Sequence, residues 1–235
     1  MIYGKKEFLL YPPEDSWDLY LYPYLHPRAT KSQVPFFSEE LHQQQLKYSR
    51  NKVKPITAVI ERGDVLYIPP LWFHSVRSIE SSISLSMWSP CVETQIFNEI
   101  LDIGFPIPEE LKSIEKIRNL STGKLFVEIL LKNLLTEEFF PHTAKEFIRL
   151  VEKTRYAPLY PVVPSLQPNP SFQCPPPVTD KRIIYFYERE VKSKFAKFLK
   201  EIPRPRLDIW LADYCEIILH LFLAPEDISS MLLCF

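Results

Sequence analysis

Apolar and polar positions alternate near the start of the chain and switch to a helical period after residue 90. Residues 6–11, with Phe8, Leu9 and Leu10, predict a short strand that Pro12 and Pro13 stop. Residues 57–60 and 65–68 predict two antiparallel strands joined through Gly63-Asp64, a dipeptide suited to a tight hairpin. Residues 72–77 and 82–88 add two more, which makes the first ninety residues β-rich. Beyond Pro90, residues 94–103, 109–119, 124–135 and 143–154 carry apolar side chains at helical spacing, with Pro106, Pro108 and Pro141 at breaks or first turns. Eight prolines between 158 and 178 predict a semi-rigid extended linker. After it, 181–201 and 207–223 predict two amphipathic helices, and Pro225 with Glu226 and Asp227 opens a last short one. The stripe Leu211, Tyr214, Ile218 and Leu221 is expected to be core inside the chain more readily than interface.

Composition narrows the classes. At 235 residues and 46% hydrophobic content the chain can bury a sizeable core. A formal net charge of -1 gives no global field for nucleic acid or acidic lipid, although a local basic patch is compatible with it. The run 192–200 is expected to be a solvated helix face. Four glycines leave no phosphate-cradling loop of the known types. Cys91, Cys174, Cys215 and Cys234 show no paired spacing and are expected to be reduced thiols in an intracellular protein of nucleus or cytoplasm. The start of the chain does not read as a secretory signal. The longest apolar stretch, 207–224, is broken by Asp208, Asp213, Glu216 and His220, so no membrane span is expected.

Two segments carry candidate chemistry. In Gly63-Asp64-Val65-Leu66-Tyr67-Ile68-Pro69-Pro70-Leu71-Trp72-Phe73-His74, a proline corner leads to a strand whose single histidine shares a face with Trp72 and Val76. A lone histidine on such a face is more often a core residue bonded to backbone than a ligand. In Gly4-Lys5-Lys6-Glu7-Phe8-Leu9-Leu10-Tyr11-Pro12-Pro13, Lys6 lies on the apolar side of Phe8 and Leu10, where an ammonium needs an anionic partner or an exit to water. Residues 83–88 alternate Ile83, Leu85 and Met87 against Ser84, Ser86 and Trp88, as either a polar site wall or a solvated sheet face would.

Together with Leu19-Tyr20-Leu21-Tyr22-Pro23 and His26-Pro27, these strings resemble the distal part of the JmjC, cupin-like family of iron(II)- and 2-oxoglutarate-dependent oxygenases. The resemblance implies a partial double-stranded β-helix of the cupin or jelly-roll type over 1–90 and, loosely, a helical extension over 91–157; with the linker over 158–178 and a C-terminal helical module over 179–235, which the residue pattern gives and the resemblance does not cover, the expected fold is α+β. The resemblance implies hydroxylation with iron and 2-oxoglutarate as cofactors. His74 would be a metal ligand, Lys6 the anchor for the far carboxylate, Ser86 a second cofactor contact, and Trp88 part of the substrate pocket. Ser86 stands where the family's asparaginyl and wybutosine-tRNA hydroxylases have asparagine. A protein or tRNA substrate, and a homodimer through the C-terminal helices, are the partners it implies.

The family's facial triad needs two histidines and a carboxylate, two of them from an H-x-D or H-x-E motif. His26, His42, His74, His142 and His220 are all followed by other residues. The family places that motif upstream of the glycine matching Gly4, so the expectation is a truncated member that does not turn over by itself. The alternative, from a different class, is a non-catalytic interaction or scaffold protein built on a degenerate cupin barrel.

Overall fold

The computed structural model describes residues 1–37, 52–107, 119–135, 143–195 and 204–235. Three strands form one antiparallel sheet in the order β2-β1-β3, with β1 (Lys6–Tyr11) between β2 (Ile56–Ile60) and β3 (Phe73–Ser78). Lys6 stands opposite Ile60 and Ser78, and Leu10 opposite Ile56 and His74. Since opposed residues share a face, Lys6, Phe8, Leu10, His74 and Val76 point one way, and Glu7, Leu9, Tyr11, Phe73 and Ser75 the other. The second side is the anchored one. There Tyr11 and its neighbours Leu9 and Phe73 join Leu19, Leu21, Val53, Phe36 and Ile209 in one cluster.

The sheet departs from the predicted hairpin. The backbone of β2 pairs with β1, and residues 65–68 form no strand, leaving Val65 94% exposed. The turn at Gly63, at φ 94°, does form, but it closes on the chain start: Gly63 N–H donates to the Met1 carbonyl and the Met1 ammonium to that of Asp64. Residues 82–88 likewise make no strand beyond one bridge between Ile83 and Tyr3. The described strands therefore make a single three-stranded sheet, and the second sheet of a double-stranded β-helix is not among the described residues.

The larger core is helical. It is built by α1 (Val92–Asp102), α2 (Leu120–Leu134), α3 (Ala144–Val151), α4 (Lys181–Lys194), α5 (Arg204–His220) and α6 (Ile228–Leu232). Asn119 and Thr143 close capping boxes with Thr122 and Glu146, satisfying first-turn N–H groups at α2 and α3. Phe126, Leu130 and Leu134 of α2 and Trp210, Tyr214 and Ile218 of α5 recur at helical spacing and are buried. Of the predicted stripe, Leu211, Tyr214 and Ile218 are core, whereas Leu221 lies past the helix end and is 57% exposed. The predicted helix over 109–119 lies almost wholly outside the described residues. Among them no helix is long and apolar enough to cross a membrane.

Residues 158–178 are not a free linker. Short turns at Ala157–Leu159 and Pro164–Leu166 fold the segment back onto α6. There Ser229 Oγ donates to the Leu166 carbonyl, and Asn169 N–H to Ser230 Oγ. Proline removes backbone donors, so hydroxyls of a neighbouring helix take part in satisfying what is left. That path sets Cys174 beside Cys234, and the two form a disulfide across a sequence separation of 60. This corrects the expectation of four reduced thiols and removes its support for a reducing compartment. Cys91 and Cys215 are free.

Candidate functional site

The β1 strand positions Lys6 because Gly4 lets the chain turn tightly before it. Gly4 has φ 75°, and a Cβ there would lie 2.1 Å from the Ser81 carbonyl oxygen. This close approach brings residues 81–84 over the start of β1. Lys6 Nζ, half-buried, donates to Ser84 Oγ at 2.6 Å. The hydroxyl keeps its own hydrogen free to donate, so an ammonium and an O–H stand side by side, a pair suited to a carboxylate.

His74 lies on the same sheet face, on the adjacent strand and four positions along. Strand geometry puts its Cα roughly 14 Å from that of Lys6. It is exposed, as are Ser86 and Trp88, the latter at 87%. The structure thus brings Lys6 and Ser84 together, sets His74 on their face, and leaves Ser86 and Trp88 at the surface. Among the described residues, no three His, Cys, Asp or Glu side chains come close enough to hold a metal ion. The described residues therefore do not by themselves make the family's iron site.

The most highly organised polar cluster lies elsewhere. Arg155, 2% exposed, donates through Nη1 to Asp213 Oδ1 at 2.5 Å and Glu216 Oε1 at 2.9 Å. Glu216, fully buried, also accepts from the Tyr156 hydroxyl at 3.0 Å and the Tyr24 N–H at 2.7 Å. Gln33 donates to the Arg155 carbonyl. One cation faces two carboxylates, and burial together with the Asp213 charge pushes Glu216 up to about 7 against the opposing pull of Arg155. Burial raises Asp213 as well. The adjacent cavity, lined by Ser16, Trp17, Leu21, Thr154, Arg155 and Ile209, measures about 10 Å³ and has room for one water. The cluster leaves no space for a substrate; it fastens the 20–34 segment to α5. Sequence reading missed it, although two acids at an i, i+3 spacing inside the apolar pattern of α5 were its signal.

Comparison with known proteins agrees with the resemblance over the first part of the chain. Residues 1–90 match the cupin-like domain family. The tRNA wybutosine-synthesizing protein 5 of Gallus gallus is 33% identical over 144 residues, 61% of this chain and 39% of that protein. JmjC domain-containing protein 8 of Mus musculus is 30% identical over 86 residues, covering 37% and 27%. The lysine-specific demethylase JMJ30 of Arabidopsis thaliana is 33% identical over 90 residues, covering 37% and 19%. The chain spans about two fifths or less of the length of these relatives. No solved structure matches. Over residues 1–90, then, the chain is similar to the cupin-like domain family and to proteins named for a JmjC domain.

Proposed function

We propose that residues 1–90 serve an iron(II)- and 2-oxoglutarate-dependent hydroxylase of the JmjC type. Lys6 anchors the far carboxylate of 2-oxoglutarate, His74 is one metal ligand, and Ser86 and Trp88 border the site. The observation that carries this reading is the sheet face shared by Lys6 and His74, with the ammonium organised by the Ser84 hydroxyl. Iron(II), when bound, supplies the activation of dioxygen that such oxygenases couple to decarboxylation. The described residues offer one of three ligands, so the roles assigned to this chain are binding roles. The relatives' names point to tRNA modification and to lysine demethylation, and the proposal extends to the chemistry without choosing between those substrates.

Calorimetric titration tests the anchor. The chain should bind 2-oxoglutarate better than 2-oxobutyrate, which lacks the far carboxylate, and Lys6→Ala should weaken 2-oxoglutarate at least tenfold while leaving 2-oxobutyrate unchanged. Equal losses for both acids would remove Lys6 from the role.

The lack of a three-ligand group among the described residues favours a second reading, in which the sheet is a scaffold without catalysis. Manganese(II) titration separates the two. Binding that disappears in His74→Ala supports the oxygenase reading, and no binding by the wild-type chain supports the scaffold.

A further inference from the structure

The chain has a formal net charge of -1, yet residues 181–206 hold nine Lys and Arg against three Glu. Helix α4 opens this segment and carries five of these cations. Ile183, Tyr187 and Val191, with Phe195 just beyond the helix, are buried in the helical core. The opposite side is consequently a stripe that starts at the adjacent Lys181 and Arg182 and continues at successive turns through Tyr185, Arg189 and Lys192, all exposed. The Arg182 and Arg189 side chains are 73% and 60% exposed, and Tyr185 is 66% exposed. Carboxylates meet only part of this charge: Asp180 pairs with Arg182, and Glu190 pairs with Lys194 at 2.8 Å and stands 3.9 Å from Arg189. Lys181 and Lys192 have no ion pair among the described residues.

We propose that this face of α4 binds single-stranded nucleic acid, with the four cations along the phosphates and Tyr185 stacked on a base. The stripe runs about 16 Å from Lys181 to Lys192, enough to follow several phosphates. A membrane surface is a poorer occupant. An interfacial helix must bury an apolar face in lipid, and that of α4 is already used by the protein core. An acidic peptide would match the charge but would give the exposed ring nothing to stack on, whereas every base has a π-face. The proposal is independent of the oxygenase reading: α4 lies outside residues 1–90, and binding is read without metal or 2-oxoglutarate.

The test is fluorescence anisotropy of the full chain with labelled oligouridine and oligothymidine. Binding should weaken with salt along a log–log slope of about −3, as four phosphate contacts to a single strand require. Combined Lys181→Glu, Arg189→Glu and Lys192→Glu should weaken it at least tenfold with an unchanged melting temperature. Tyr185→Ala should weaken it about tenfold, and Tyr185→Phe should retain it. Wild-type affinity in the charge-reversed protein overturns the proposal. So does an unaltered affinity in Tyr185→Ala, which would mean charge adsorption alone, or equal competition by phosphatidylserine vesicles or polyglutamate.

Discussion

Glu216 is sealed from solvent with its two oxygens on Arg155, Tyr156 and the Tyr24 N–H. One guanidinium cannot neutralise both carboxylates, so burial of Glu216 and the neighbouring Asp213 raise the Glu216 pKa from 4.5 to about 7. In the unfolded chain the same carboxyl releases its proton near 4.5. The folded form therefore binds more protons than the unfolded form between these values, and stability falls as pH rises through that window. Asp213, also raised, acts in the same direction. The melting temperature of the wild-type chain is expected to decline by several degrees between pH 5 and pH 7.5. Glu216→Gln, which cannot ionise, should flatten that decline whatever it does to stability at one pH. An identical slope in the variant would show that other groups set the pH dependence.

The β1 strand depends on the backbone of Gly4 as much as on its own alternation. At φ 75°, with the Ser81 carbonyl where a Cβ would stand, Gly4 lets residues 81–84 cross the chain start and delivers Ser84 to Lys6. Gly4→Ala should cost more than about 2 kcal/mol, because a left-handed conformation and a backbone clash add together. A denaturant midpoint equal to the wild type would show that the crossing can relax. That Lys6 shares a side with Phe8 and Leu10, and His74 with Val76, was legible in the sequence, since a period of two fixes the faces of each strand; that the two strands turn these faces the same way depends on their register, which was not legible. The helices α2 and α5 were legible from their apolar period. The hairpin through Gly63-Asp64 was misread because the turn residues fix a reversal of the chain and not the partner of the strand before it. The start of the chain reaches that turn, and β1 takes the pairing edge of β2. Of the Arg155 cluster only the acids left a local signal, Asp213 and Glu216 inside an apolar helical pattern; Arg155 and Glu216 are 61 residues apart, and no local pattern joins them.

The two halves of the protein are held together by different means. The sheet docks on the helices through Tyr11, Leu19, Leu21 and Ile209 and through the Glu216 hydrogen bond to Tyr24. The proline-rich segment is held by two serine hydroxyls of α6 and by the Cys174–Cys234 disulfide. With few backbone donors and little regular structure, residues 158–178 lose much conformational freedom on docking, and a covalent tie removes part of that freedom from the unfolded chain beforehand. By the loop-entropy relation, a closure of this length stabilises by about 4 kcal/mol. In a chain of this size that corresponds to roughly 10 °C in melting temperature. Dithiothreitol should lower the wild-type melt by that amount, Cys174→Ser should melt at the reduced wild-type temperature with or without reductant, and Cys91→Ser should behave as the wild type. If reductant leaves the wild-type melt in place, the packing of α6 against residues 158–178 suffices without the bond. If the unreduced chain titrates four thiols under denaturing conditions, the bond is not formed.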